Sequence, residues 1–169
     1  MSTRHTTFET SLGELTLVAD SETLTGIYFP SHRHLPGVAD FGPPVTVADD
    51  ALFARAAAQL QQYLDGARIT FDLPIALSGT PFQQRVWEQL THIPYGETVT
   101  YGELATTLGE TTAWEVGQAV GRNPVSIVVP CHRVVGKDGK LTGYAGGLAR
   151  KRLLLDREET AASRLAKLF

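Results

Sequence analysis

At 169 residues, 43% hydrophobic and 20% charged, the chain has the composition of an ordinary soluble protein, with room for one large domain or two small ones. No run of about 18 apolar residues exists, which excludes a transmembrane helix, and MSTRHTTFETSLGEL at the start lacks a signal-peptide core. The net charge of −3 argues by itself against a nucleic-acid binder, and the single cysteine, Cys131, excludes an internal disulfide and a four-cysteine zinc site and fits a reducing, cytoplasmic setting.

The first segment reads as short strands. TTFETSLGELTLVAD and TLTGIYFP alternate apolar and polar residues around turn-like SLGE and DSET. Pro30 to Pro44 is rich in Gly, Pro and His, so it reads as a solvated loop, and its His32 and His34 share no metal-ligand spacing with His5 or His92. In ADDALFARAAAQLQQYLDG, Leu52, Phe53, Ala56, Leu60, Tyr63 and Leu64 recur at helical spacing, and Gly66 stops the helix. RITFDLPI reads as a further strand, and LSGT as a linker. The expectation is an N-terminal α/β domain over residues 1–78 and a second domain over 79–169.

The second half changes character. Thr80, Pro81 and Gln83 form a capping box with proline at the first helical position of TPFQQRVWEQL. Thr100 and Glu103 open TYGELATTLG, and Thr112 and Glu115 open TAWEVGQAVGRN, in the same way. Two short helices joined by a tight GET turn suggest a helix-turn-helix whose second member faces DNA. Its small residues Ala113, Gly117, Ala119 and Gly121 fit either close helix packing or approach of another backbone. Charge is distributed to match. Residues 1–79 hold four arginines against nine acids, while 80–169 hold eleven basic residues against nine acids, which permits a DNA-facing second half. SIVVP then reads as a buried strand delivering Cys131, GKDGKLTGYAGG as a Gly-rich loop and LARKRLLLDREE as a final helix.

A lone cysteine is ordinarily a buried, inert residue. Cys131 differs in its neighbours. Pro130 ends the apolar run, and His132 and Arg133 follow, a base and a cation that could favour the thiolate nucleophile. Adjacent side chains on an extended chain point apart, so contact between His132 and Cys131 needs a turn or a bridging water. A satisfied core histidine and a structural arginine ion pair are the plain alternatives for His132 and Arg133.

PCHRV at 130–134, with FQQRVW, IPYGETVTYGELA, GRNPVSIVVPCHRVVG and GYAGGLARKRLLL in the same order, resembles the O6-alkylguanine-DNA alkyltransferases over most of residues 80–158. LGELTLVAD and LTGIYF are similar to that family's small first domain. The resemblance implies an α+β fold: a ribonuclease-H-like first domain and a mainly helical, winged-helix-like second domain carrying the helix-turn-helix. It implies direct-reversal repair, in which a damaged guanine flips out of duplex DNA and Cys131 takes the O6-alkyl group once, with O4-alkylthymine a further candidate substrate. No metal or cofactor enters the implied reaction. The implied partner is double-stranded DNA containing alkylated guanine, bound by a monomer with scope for assembly along DNA and with modest, salt-sensitive affinity.

Position by position, the resemblance makes Cys131 the acceptor, His132 its base through water, Glu158 the group that orients His132, and Asn123 a hinge before the active-site segment; from its place before Pro124, Asn123 also reads as a helix C-cap. Tyr101 corresponds to a tyrosine that rotates the phosphate or protonates the departing base. Tyr144, Ala145 and Gly146 correspond to the pocket loop, and the Cys131 and Val134 carbonyls to acceptors for the guanine amine. Lys137, on the loop after the motif, reads either as a phosphate contact or as a solvated lysine. Ala113 and Trp114 open the second helix of the pair, where the family usually inserts an arginine into the base stack; here an uncharged indole stands in that place. A non-catalytic damage-binding protein is the alternative reading, and the retained Cys131 argues against it. A cysteine hydrolase would need local signatures that do not surround Cys131.

Overall fold

The computed structural model describes residues 3–166. Three strands, β1 (Thr3–Thr10), β2 (Gly13–Asp20) and β3 (Thr23–Tyr28), form an antiparallel sheet in chain order. The first hairpin is tight because Thr10 ties it locally: its hydroxyl donates to the Gly13 carbonyl at 2.8 Å and accepts from Leu12 N–H at 3.0 Å, while Gly13 takes φ +104°. Helix α1 (Ala51–Leu64) follows a loop and is capped by Asp50, which accepts from Phe53 N–H at 3.1 Å and is held by Arg4 of β1. The helical positions named from the sequence, Leu52, Phe53, Ala56, Leu60, Tyr63 and Leu64, are all buried.

Three expectations for the irregular segments need correction. RITFDLPI is not a strand. Only Ile75 makes an isolated parallel bridge, to Leu24. Asp72 gives its backbone N–H and C=O to the Gln59 side chain (2.9 and 3.0 Å), and Pro74 has no N–H to offer a ladder. SIVVP is not a strand either. Val125 makes one bridge to Ile27, Ile127 adopts φ +72°, and Val129 N–H returns to the Val125 carbonyl at 3.0 Å. The β-branched run is buried, but a turn delivers Cys131, not a ladder. His32 is not solvated. Its Nδ1 accepts from Phe29 N–H at 3.2 Å, its ring stacks on Phe29, and burial pushes its pKa down to about 4.

The second half is helical. It comprises α2 (Pro81–Leu90), α3 (Tyr101–Leu108), α4 (Ala113–Gly121) and α5 (Leu148–Ala166). All three capping boxes form, at Thr80/Gln83, Thr100/Glu103 and Thr112/Glu115. Helices α3 and α4 make the helix-turn-helix, joined where Gly109 and Glu110 turn through positive φ. Two short parallel strands, β4 (Val99–Thr100) and β5 (Val134–Val135), tie the start of α3 to the segment after Cys131. Trp87 of α2 donates its indole N–H to the Ala119 carbonyl of α4 at 2.8 Å, which fixes the pair's orientation. The architecture is the α+β arrangement expected, and one apolar cluster spans both halves, from Leu15, Ile27 and Phe53 through Val86 and Val116 to Val129 and Leu154.

Candidate active site

Cys131 opens a 3-10 turn, Cys131–Arg133, that puts three consecutive polar or reactive side chains in the core. The turn does not bring the two side chains into contact: Cys131 and His132 leave the backbone in different directions, so a bridging water is still needed between them. His132 turns inward. Its Nε2 lies 2.7 Å from Glu158 Oε2, from α5. Arg133 donates twice to the same carboxylate, Nε to Oε1 at 2.8 Å and Nη2 to Oε2 at 3.0 Å, and Nη1 reaches the Ile93 carbonyl at 2.7 Å. This is the structural ion pair considered for Arg133. The Tyr63 hydroxyl of α1 also donates to Glu158 Oε2.

The charges in this network follow from its geometry. Burial alone would raise the Glu158 pKa, but the hydrogen bonds and charges of His132 and Arg133 outweigh it and hold the carboxyl at about 2. Glu158 is therefore an anion that can only accept. Burial lowers the His132 pKa, against the pull of Glu158. A neutral His132 must then carry its proton on Nε2, toward the carboxylate, which leaves the lone pair on Nδ1. Nδ1 is buried and has no hydrogen-bond partner, the Cys131 sulfur included.

Cys131 lines a cavity of about 860 Å³ bounded by α3, α4, the loop of residues 136–145 and the loop carrying Arg33 and His34. Burial pushes its thiol pKa up, and the Asn123 side chain and the Lys151 charge oppose this. Asn123 does not occupy the helix C-cap, which is Arg122. Its side chain instead spans the turn beneath Cys131, accepting from Val125 N–H at 3.0 Å and donating to the Val129 carbonyl at 2.9 Å. It thus joins the end of α4 to the segment before the thiol.

The other sequence candidates divide into those on the cavity and those behind it. Tyr101, half-buried at the start of α3, lines it, as do Ala113, Trp114, Lys137, Tyr144 and Ala145. The Tyr144 hydroxyl is buried without a hydrogen-bond partner, and burial raises its pKa. Trp114 is 73% exposed, so it does not lie flat on the protein. Val134 is wholly buried in β5, and its N–H donates to the Cys131 carbonyl within the 3-10 turn, so that carbonyl keeps one lone pair free. Gly146 lies behind the cavity: a Cβ there would stand 2.4 Å from the Phe29 ring. The small residues of α4 also separate. Ala119 is buried in packing, whereas a Cβ on Gly121 would meet nothing within 4 Å and one on Gly117 only ordinary contact with Tyr101 at 3.7 Å. Internal packing therefore does not require these two glycines.

Two buried residues at the site were not singled out from the sequence. Lys151 of α5 is wholly buried; its Nζ donates to the Gly143 carbonyl at 2.8 Å and stands 5.8 Å from the Tyr101 ring centre. Tyr63 was seen only as a core residue. The signal for Lys151 lay in helical spacing: Lys151, Leu154 and Glu158 recur at i, i+3 and i+7, one inward face with ionisable ends. The pocket loop is fastened to the first half of the chain as well. Arg33 N–H donates to the Ala145 carbonyl at 2.8 Å, and Arg150 donates to the Leu12 and Gly146 carbonyls at 2.7 and 3.0 Å with its guanidinium over Phe29.

Comparison with known proteins gives consistent relatives. Residues 3–77 match the family model described as 6-O-methylguanine DNA methyltransferase, ribonuclease-like domain, and residues 81–160 match its DNA binding domain. A methylated-DNA–protein-cysteine methyltransferase of Mycobacterium bovis is 43% identical over 164 residues, covering 96% of each chain. The inducible enzyme of that name from Bacillus subtilis is 41% identical over 153 residues, covering 86% of each. Among solved structures, Mycobacterium tuberculosis OGT in complex with DNA superimposes with a TM-score of 0.84 at 42% identity over 94% of each chain.

Proposed function

The chain belongs to the methylated-DNA–protein-cysteine methyltransferase family, and from that premise we propose that it repairs O6-alkylguanine in duplex DNA by moving the alkyl group to Cys131, once per molecule. The observation that carries this reading is the position of the thiol: Cys131 lies on a cavity walled by the second helix of the helix-turn-helix and backed by an oriented histidine. A relative of 42% identity has been crystallised with DNA, which supports DNA as the partner. The same reading assigns residues 1–78 to a supporting domain and 79–169 to DNA binding and alkyl acceptance. It makes the protein a cytoplasmic monomer.

The chemistry is a displacement at an sp³ carbon. His132 Nδ1 takes the Cys131 proton through a water, and Glu158 stabilises the resulting imidazolium. The thiolate attacks the alkyl carbon, the S–C bond forms as the C–O6 bond breaks, and the electron pair stays with the guanine. The guanine regains one proton, with Tyr101 as its donor or relay, so the proton lost from sulfur is balanced. A thioether does not hydrolyse, which makes the protein stoichiometric. Asn123 holds the turn under the thiol, the Cys131 and Val134 carbonyls accept from the guanine amine, and Tyr144 and Ala145 cover the flipped base.

Base extrusion needs a group to fill the gap. Trp114 serves as the wedge, because it is exposed at the cavity mouth beside Ala113, on a helix whose Gly117 and Gly121 leave room for a nucleic-acid backbone. Lys137 on the opposite rim contacts a phosphate. The test is mass spectrometry after incubation with a duplex containing O6-methylguanine. One methyl group on the peptide carrying Cys131 is expected; an unmodified peptide in a protein that still binds the duplex would leave only the damage-binding reading.

A further inference from the structure

Three hydrogen-bond donors converge on one oxygen of Glu158. His132 Nε2 lies 2.7 Å from Oε2, Arg133 Nη2 donates to it at 3.0 Å, and the Tyr63 hydroxyl is the third donor. The first two belong to the turn that carries the thiol. Tyr63 comes from α1, in the other half of the chain, and is 2% exposed. Its ring is held edge-on to Tyr95 at 6.2 Å and tilted against Phe71 at 5.3 Å, and its hydroxyl also stands 3.4 Å from His132 Nε2. This hydroxyl is not needed to satisfy the carboxylate. Without it, Oε1 still accepts from Arg133 Nε and Oε2 still has two donors, with the guanidinium matching the charge. A phenylalanine would fill the same space with no polar group to bury. Burial and the Glu158 charge raise the Tyr63 pKa, so the phenol stays a neutral donor.

We propose that Tyr63 is a positioning residue for the reaction: its hydroxyl fixes Glu158 Oε2 against His132 and draws off part of that oxygen's charge, so that α1 sets how tightly the imidazole holds a proton. This rests on the reading that His132 is the base for Cys131. Each donor to a carboxylate stabilises its charged form and lowers its basicity. With the phenol in place, the Nε2 proton stays on nitrogen when Nδ1 takes the thiol proton. A Glu158 freed of the phenol would pull harder on Nε2–H. More of His132 would then be protonated already at neutral pH, and a protonated imidazole is no base.

The experiment compares the full chain with Tyr63→Phe in two pH titrations. One follows the His132 ring signals by NMR in ¹³C-histidine-labelled protein; the other follows single-turnover methyl transfer from a duplex containing O6-methylguanine. Tyr63→Phe leaves the other charged and titratable groups around His132 in place: Arg133 of its own turn, Glu158 and Lys151 of α5, and Tyr95 behind the phenol. Burial holds the parent His132 below the ordinary histidine value. In Tyr63→Phe its midpoint should rise by roughly half to one pH unit, and the acid limb of methyl transfer should move up with it. Below both midpoints the rate should then fall roughly three- to tenfold. A merely packing role would lower the melting temperature or the plateau rate and leave both midpoints in place. An unmoved or lowered His132 midpoint in folded Tyr63→Phe overturns the proposal. A second measurement requires no variant. The Tyr63 Cζ signal of ¹³C-tyrosine-labelled parent protein should shift through the His132 midpoint, because the phenol and the imidazole share one oxygen; a signal flat through that range overturns the proposal too. Absence of methyl transfer by the parent protein would instead sink the repair reading, and the two NMR titrations would still decide whether Tyr63 tunes His132.

Discussion

Glu158 and Lys151 occupy one face of α5, two turns apart and both buried, yet their surroundings are opposite. Glu158 accepts from three side chains, Tyr63, His132 and Arg133, drawn from both halves of the molecule. Lys151 donates to a single carbonyl and lies beside a cavity where the Tyr144 hydroxyl is also unbonded. The first end is closed: its charges match and both carboxylate oxygens of Glu158 are hydrogen-bonded. The second is open: a buried hydroxyl on its cavity has no hydrogen-bond partner. A satisfied network contributes to the fold, whereas an unsatisfied one beside a nucleophile costs stability and is retained for chemistry.

Damage to the closed end should show first in stability. Glu158→Ala strands the Arg133 guanidinium in the core and should cost about 3–5 kcal/mol in urea unfolding. The pH dependence of the parent tests the same point. The folded Glu158 pKa of about 2 lies below its ordinary carboxyl value, so its contribution is complete above about pH 4.3 and is lost as pH falls through 2. Glu158→Gln should flatten that acid limb; an unchanged limb would place the acid sensitivity elsewhere.

His132→Ala removes the joint between the two ends. Methyl transfer near pH 7, followed in single-turnover quench experiments, should slow at least about 100-fold. The cavity mouth should respond in duplex binding without loss of stability. Trp114→Ala should weaken duplex affinity by about 1–3 kcal/mol by fluorescence anisotropy while melting like the parent, because the indole is 73% exposed. Unchanged affinity and transfer would remove Trp114 from the wedge role. The smallest effect is expected for Lys137→Ala, which should lower the slope of log affinity against log salt by about one with little change in fold.

The closed and open ends differ also in how readable they are. Helix starts were legible because Thr80, Thr100 and Thr112 each stand three residues before Gln or Glu, and the capping chemistry is local. The thiol and its histidine were legible through the motif around them. The path to Cys131 was not, because Ser126 to Pro130 has the composition of a strand while the nearby Asn123 side chain takes the backbone bonds of Val125 and Val129. RITFDLPI failed for a related reason, since Gln59 of α1 bonds Asp72 as a neighbouring strand would. Lys151 was hidden by rank order: a lysine in ARKR reads as solvent-facing until the face it shares with Leu154 and Glu158 is drawn.

The bond from Tyr63 to Glu158 joins the first helix of the chain to the last. During synthesis the sheet and α1 emerge first and present an apolar face that Leu154 helps to cover. Residues 151 and 158 leave the ribosome after the thiol does, so neither the oriented histidine nor the buried ammonium exists on an unfinished chain. A protein whose acceptor can be spent only once thereby lacks the oriented histidine beside it until the whole molecule is assembled.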